Sequence, residues 1–334
     1  VIPDSIQGYY HIDKVCVDCN SKLGTNIDHT LTNHKFIEFQ RHLLNIKGKS
    51  GNVPNPFKGM HNIKDDPDQK VIVEFDDEGK LIPRLLPNIP DFKEAAITDS
   101  FTIKIDKRDE GKLEQIVDKI IRRNGLDKSK IVSTKTYGEK EHPWIHSTLT
   151  IDTHDFKAGI LKIAYEFAVD TVPEYFDDDQ AKVISQILLE ADFENLDKKI
   201  TFLGSGFDKL ILQPFEHLIE FENNNHYLIL FSSDMGLLCF VNLFNAFSIG
   251  IKLSDKTDYF HDNLFVGKND LTAKNFKRYD ITQLIQSTYT PIRYRFQHWF
   301  PDQESANEFL LMEKHKDFGY YYENDKIPFY NKQG

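Results

Sequence analysis

The sequence has few cysteines, no long apolar run and no overall positive charge. Its 334 residues include three cysteines, too few for the disulfide framework of a small secreted domain, and Cys239 lies in an apolar stretch typical of a buried strand. No apolar run approaches the roughly 20 residues that cross a bilayer. The formal net charge of -11 argues against a surface that binds polyanions everywhere. These absences predict a globular protein of the reducing cytoplasm.

Positive charge is nevertheless concentrated between residues 29 and 63, where Glu38 is the single acid. The cations of this stretch are Lys35, Arg41, Lys47, Lys49 and Lys58. A phosphate backbone could be bound here, which makes Lys35, Arg41, Lys47 and Lys49 candidates for nucleic-acid contacts. A solvated helix face explains the same charges equally well.

The most informative short stretch is Val15-Cys16-Val17-Asp18-Cys19-Asn20-Ser21-Lys22-Leu23-Gly24. Two thiolates at the spacing of Cys16 and Cys19 can hold one tetrahedral zinc ion from a turn that opens a helix. Asn20 would then begin the helix with its amide oxygen free for a hard metal ion such as Mg²⁺. A redox dithiol and an idle pair of cysteines are the alternatives for Cys16 and Cys19.

These residues resemble a known family when they are taken with the start of the chain. The order of Val1-Ile2-Pro3-Asp4-Ser5-Ile6-Gln7-Gly8, a short strand, Cys-x-x-Cys-Asn and Leu23-Gly24 is similar to the second half of an HNH (ββα-metal) endonuclease motif. The Cys-x-x-Cys-Asn variant resembles phage endonuclease VII and bacterial restriction or defence nucleases. In that family an acid, the general-base histidine and a first cysteine pair would precede Val1.

The resemblance implies roles for individual residues. Cys16 and Cys19 would supply half of a structural zinc site, and Asn20 would be a ligand of a catalytic Mg²⁺ or Mn²⁺ ion. His11 would orient the general base, or it is a surface histidine. Asp28 follows Leu23-Gly24 as an acid does in several relatives, although a carboxylate on a helix surface is an equal explanation.

The implied function is a metal-dependent endonuclease that hydrolyses DNA phosphodiester bonds in restriction or antiphage defence, with RNA as an open alternative target. Two alternative hypotheses about function remain. One is a non-catalytic nucleic-acid-binding or complex-forming protein on a degenerate HNH scaffold. The other is a cytoplasmic subunit that cleaves only when a protein partner supplies recognition. A homodimer is compatible with each of them.

The periodicities predict an α+β protein. Residues 1–62 would form a small ββα-metal module with a basic helix, and residues 63–334 a larger mixed α+β domain with an antiparallel sheet for target recognition or partner binding. Helices are predicted over 26–44, 113–123, 155–169, 180–189, 283–286 and 303–312. Strands are predicted over 71–75, 80–82, 101–105, 131–134, 145–151, 200–203, 209–212, 217–221, 227–231, 237–243 and 246–253.

Overall fold

The structure is a computed structural model that describes residues 1–48, 51–88, 102–125, 127–130, 132–138, 144–148, 151–260, 263–289 and 300–311. Residues 1–284 form one compact unit, and residues 285–334 belong to a second. The mixture of helices with antiparallel sheets confirms the predicted α+β class. The boundary at residue 62 stays a prediction.

The opening of the chain is helical after a short loop. A 3₁₀ turn occupies Asp4–Ile6, and the helices that follow are α1 (Val17–Leu23), a π-helical stretch (Gly24–Asp28), α2 (His29–Thr32) and α3 (Lys35–Leu43). The single helix predicted over 26–44 is therefore wrong in its continuity. His34 adopts an extended backbone, and its ring nitrogen Nδ1 accepts a hydrogen bond from the amide of Phe36, which starts α3 as a new helix.

A small antiparallel sheet follows. Its elements and the helix that interrupts them are β1 (Met60–Ile63), β2 (Asp66–Phe75), β3 (Leu81–Leu85), α4 (Leu113–Asn124) and β4 (Ile145–His146). The strand order is β3-β2-β1-β4, so Pro83 sits on an edge strand, where a missing amide is tolerated. The strands predicted over 71–75 and 80–82 and the helix over 113–123 are confirmed. The described parts of 101–105 and 131–134 form no strand, and in the described part of 145–151 the paired residues are Ile145–His146.

The larger sheet has six strands in the order β10-β9-β6-β7-β8-β5, all antiparallel to their neighbours. The elements from residue 154 are α5 (His154–Thr171), α6 (Asp179–Glu190), α7 (Leu196–Lys199), β5 (Thr201–Gly206), β6 (Asn225–Ser233), β7 (Gly236–Leu243), β8 (Phe247–Ser254), β9 (Leu264–Asp270) and β10 (Asn275–Asp280). Helix α5 packs across β6, β7 and β8, and α6 packs on β8, as the predicted sheet against two helices requires.

Two predicted strands before β6 are wrong. Residues 209–215 form a 3₁₀ helix, because the Asp208 carboxylate accepts from the amide of Leu210 and caps its start. Residues 217–221 complete a turn and continue as an irregular loop. Strands β9 and β10 were not predicted. The chain continues with α8 (Ile281–Tyr289) and α9 (Gln303–Leu311), close to the two predicted short helices. No helix within the described ranges is both long and apolar enough to cross a membrane.

The opening segment, residues 1–46, shares one hydrophobic core with α5 and the large sheet. Its fully or almost fully buried side chains are Ile2, Ile6, Tyr10, Leu23, Ile27, Leu31, Phe36, Ile37 and Ile46. Helix α2 approaches α5 closely at Gly159, where an added Cβ would lie 2.6 Å from the Cβ of Leu31. Burial of these apolar groups at about 25 cal/mol per Å² ties the opening segment to the body of the protein.

Candidate metal centre and its supports

The two cysteines lie together at the start of α1. Cys16 is the N-cap residue, and the amide of Cys19 donates a hydrogen bond to the Cys16 sulfur at 3.1 Å. Hydrogen bonds from the Cys19 thiol and from the Cys19 amide lower the pKa of Cys16, and both thiols are free. Cys16 is exposed and Cys19 half-buried. A thiolate that accepts an amide hydrogen bond and faces solvent beside a second thiol suits half of a zinc site.

Asn20 occupies the same helical turn. Its amide donates to the carbonyl oxygen of Cys16 at 2.9 Å, which closes the first turn of α1, and its side chain is exposed. The structure thus brings Cys16, Cys19 and Asn20 onto one accessible turn. His11 is exposed in the loop before α1, and no hydrogen bond joins it to that turn among the residues that the structure describes.

The ligand set at this turn comprises two thiols and one amide. Within the described ranges, no three histidine, cysteine or acidic side chains lie close enough together to hold a metal ion. A tetrahedral zinc ion needs four ligands, so Cys16 and Cys19 fit a two-ligand contribution and not a complete site.

The predicted nucleic-acid contacts differ in their environments. Lys35 pairs with Glu38 at 2.6 Å, and Lys47 is exposed. Arg41 is 8% exposed, and its Nη2 packs 2.6 Å from the position that a Cβ of Gly48 would occupy. Burial lowers the pKa of the Arg41 guanidinium. Lys49 lies outside the described residues.

A lysine of α5 lies beneath the opening segment. Lys162 is 3% exposed, and its Nζ lies 3.1 Å from Oδ1 of Asp28 and 3.5 Å from Oε2 of Glu166. It also donates to the carbonyl oxygen of Val1 at 3.1 Å. Burial raises the pKa of Glu166. Asp28, for which the sequence allowed two roles, is therefore a half-buried ion-pair partner that ties the π-helical stretch to α5.

A second support lies at the end of α5. The hydroxyl of Tyr10 donates to Asp170 at 2.7 Å, and its ring stacks on Phe276 with centroids 3.9 Å apart. Lys14 and Arg278 pair with the same carboxylate at 3.0 and 3.2 Å. Burial and the hydrogen bond to Asp170 raise the pKa of Tyr10. The loop before the cysteine turn is therefore fixed to α5 and β10, and the short strand expected there from the sequence is not formed.

A third support comes from the large sheet. His226 on β6 and Asn269 on β9 are completely buried and hydrogen-bond to the backbone of residues 6–9. Sequence reasoning missed Lys162, His226 and Asn269. The available signal was a charged or polar side chain inside an otherwise apolar stretch, as in Gly159-Ile160-Leu161-Lys162-Ile163-Ala164, because such groups are buried only with partners.

Comparison with known proteins gives one match. A family model described as HNH endonuclease matches residues 1–36, which contain the cysteine turn, Asn20, His11 and Asp28. No curated protein and no solved structure matches the chain. The match covers about a tenth of the chain, and it supports a relationship between this opening segment and the HNH endonuclease family.

Proposed function

We propose that this protein is a metal-dependent HNH endonuclease that hydrolyses DNA phosphodiester bonds. The observation that carries the proposal is the family match to residues 1–36, together with the accessible turn that presents Cys16, Cys19 and Asn20. The resemblance to restriction and defence nucleases supports a role in restriction or antiphage defence.

Cys16 and Cys19 would hold the structural zinc ion with two further ligands, and Asn20 would be one ligand of Mg²⁺ or Mn²⁺. A divalent ion at Asn20 would supply the Lewis acid that polarises the scissile phosphate. The hydrogen bonds from Cys19 lower the pKa of Cys16 toward the thiolate that zinc requires, and the same contact raises the pKa of Cys19. One amide ligand on an exposed turn is consistent with Mg²⁺, which keeps several of its waters and takes few protein ligands.

Lys47 is accessible for a phosphate contact, and Lys35 is half-buried beside Glu38. Both follow the cysteine turn in the sequence, on the segment where the positive charge of the chain is concentrated. We propose Lys35, Lys47 and Lys49 as the nucleic-acid contacts, whereas Arg41, a fourth candidate from the sequence, is too buried for a direct contact with a phosphate. Such contacts would make DNA affinity fall steeply with salt concentration.

The test is nicking of supercoiled plasmid by the full-length protein with Mg²⁺ or Mn²⁺. Asn20→Ala should lower the cleavage rate by roughly 100-fold or more, as loss of a metal ligand does to such a reaction. Asn26→Ala is the matched control, since Asn26 is an exposed asparagine on the same helical run. Equal activity of the two variants would contradict the assignment. If the wild-type protein binds DNA but does not nick it, the result would instead favour the hypothesis of a non-catalytic nucleic-acid-binding protein.

A further inference from the structure

One pair of side chains in the large sheet holds three backbone groups of the opening segment. His226 and Asn269 face each other in the antiparallel register of β6 and β9. His226 Nε2 lies 3.0 Å from the carbonyl oxygen of Ile6. The side-chain amide of Asn269 donates to the carbonyl oxygen of Gln7 at 2.9 Å, and its oxygen accepts from the amide of Tyr9 at 2.7 Å.

The neighbours of these two side chains dictate which atom donates. The amide of Phe244 lies 3.2 Å from His226 Nδ1, so Nδ1 must accept and the ring proton is on Nε2, directed at Ile6. The Asn269 amide is oriented equally clearly, because a carbonyl oxygen on one side only accepts and a backbone amide on the other only donates. His226 Nε2 and both polar side-chain atoms of Asn269 therefore each form a hydrogen bond to the backbone of the opening segment.

The turn that they hold is tight. Gln7 has a φ of 60°, in the left-handed region that is unfavourable for a residue with a Cβ. Gly8 lies against the carbonyl oxygen of Ile2, which a Cβ would approach to 2.0 Å. A strained turn persists when the surrounding structure fixes it from outside. His226 and Asn269, both 0% exposed, provide that fixation from strands more than 200 residues away in sequence.

We propose that His226 and Asn269 are positioning residues of the nuclease segment, which they fix by holding the backbone of residues 6–9. They touch neither a metal ligand nor an accessible surface. Their effect on cleavage rests on the proposed function, whereas their effect on the turn does not. The six-stranded sheet thereby sets the placement of the loop that leads into the cysteine turn.

The experiment compares Asn269→Ala with Asn242→Ala. Asn242 is 1% exposed on β7 of the same sheet and donates to the hydroxyl of Ser248 at 2.7 Å. Both variants lose a buried asparagine hydrogen bond, but only the first loses contact with the opening segment. Hydrogen exchange at the amide of Tyr9 should accelerate by about 10-fold or more in Asn269→Ala, since one lost hydrogen bond is worth about 1–1.5 kcal/mol. In Asn242→Ala it should stay within about twofold of wild type when the two are compared at equal global stability.

Plasmid nicking separates positioning from general loss of structure. Asn269→Ala should lower kcat by roughly 10- to 100-fold with KM for DNA nearly unchanged, because misplacement of reacting groups affects the chemical step. Equal Tyr9 exchange in the two variants overturns the proposal, and so does unchanged kcat in Asn269→Ala. A wild-type protein that does not nick DNA overturns the proposed function, and Tyr9 exchange then decides the positioning proposal by itself.

A second variant covers the case in which Asn269→Ala does not fold. Asn269→Leu keeps nearly the same side-chain volume but can neither accept from Tyr9 nor donate to Gln7. Exchange at the Tyr9 amide should again accelerate by about 10-fold or more relative to wild type. Wild-type exchange at Tyr9 in this variant contradicts the proposal.

Discussion

Lys162 and Asp28 form an ion pair across the interface between the opening segment and α5, with Nζ 3.1 Å from Oδ1. The same ammonium group lies 3.5 Å from Glu166 one helical turn along α5, so one cation serves two carboxylates. Lys162 and Glu166 are 3% and 4% exposed. At this depth a charge is tolerated only with a partner of opposite sign, which makes the lysine the central member of the group.

Replacement of Lys162 by methionine should destabilise the protein by about 3 kcal/mol, because the buried Glu166 and the half-buried Asp28 both lose this cation. Urea unfolding measures the loss. Lys182→Met is the matched control, since Lys182 is exposed on α6 and its pair with Asp179 should contribute about 1 kcal/mol or less. Similar losses of stability in the two variants would show that Lys162 contributes no more to stability than an exposed lysine does, which would contradict the account.

Tyr10→Phe should cost about 1.5–3 kcal/mol in the free energy of unfolding, the typical value of a hydrogen bond to a charged group. The variant loses the bond to Asp170 and keeps the ring stacked on Phe276. Tyr137→Phe is the control, because the hydroxyl of Tyr137 donates to Glu110 on an exposed surface and its loss should leave unfolding unchanged. A Tyr10→Phe protein as stable as wild type would contradict the anchoring of residues 10–14 to α5.

Acid should weaken the fold through His226. Complete burial lowers its pKa from 6.5 to about 4, so the unfolded chain takes up the proton first as the pH falls. The contribution of neutral His226 is fully present above pH 6.5 and is lost as the pH falls from 6.5 toward 4. It amounts to roughly 2 kcal/mol between about pH 7 and about pH 4.5.

Urea unfolding of wild type and His226→Gln at those two pH values measures this contribution. The variant starts less stable and should lose about 2 kcal/mol less than wild type over the interval, because its glutamine does not titrate. The carboxylates that both proteins share contribute equally to the two losses of stability, so their contribution cancels when the losses are compared. Equal losses of unfolding free energy in the two proteins would show that the acid sensitivity comes from groups other than His226.

Zinc should copurify with the full-length protein, and Cys16→Ser and Cys19→Ser should each reduce its content. Cys239→Ala is the control, since this thiol is completely buried in β7. Because residues 1–46 share a core with α5 and the large sheet, removal of zinc with a chelator should leave the far-ultraviolet circular dichroism of the protein nearly unchanged. A small free-standing zinc motif unfolds under that treatment. Global unfolding on chelation would contradict the shared-core account.

The sequence predicted the strongly periodic elements well. Helix α4 is capped by Gly125, whose φ of 62° is the left-handed conformation that favours glycine after a helix. Strands β6 to β8 coincide with apolar runs of the sequence. Cys239 is the small buried hydrophobe that its apolar neighbours indicated. The cysteine turn at the start of a helix was also expected, because capping is a local property of the residues around Cys16.

The contacts between distant parts of the chain were not predictable from local pattern. Nothing near Tyr10 in sequence indicates that its partner is Asp170, and the 3₁₀ helix at 209–215 depends on a cap by Asp208 that competes with the strand pattern of Leu210 and Leu212. Strand β9 includes Gly267, which lies against the ring of Phe276, and this interruption concealed the strand. Tertiary packing decided these elements.

Binding of Mn²⁺ to the full-length protein, followed by electron paramagnetic resonance without DNA, tests most directly whether the turn at Asn20 belongs to a nuclease metal centre. Wild type and Asn26→Ala should bind the ion with the same affinity, and Asn20→Ala should bind it at least about 10-fold more weakly because one inner-sphere ligand is lost. Equal Mn²⁺ affinity in the Asn20→Ala and Asn26→Ala proteins would contradict the account.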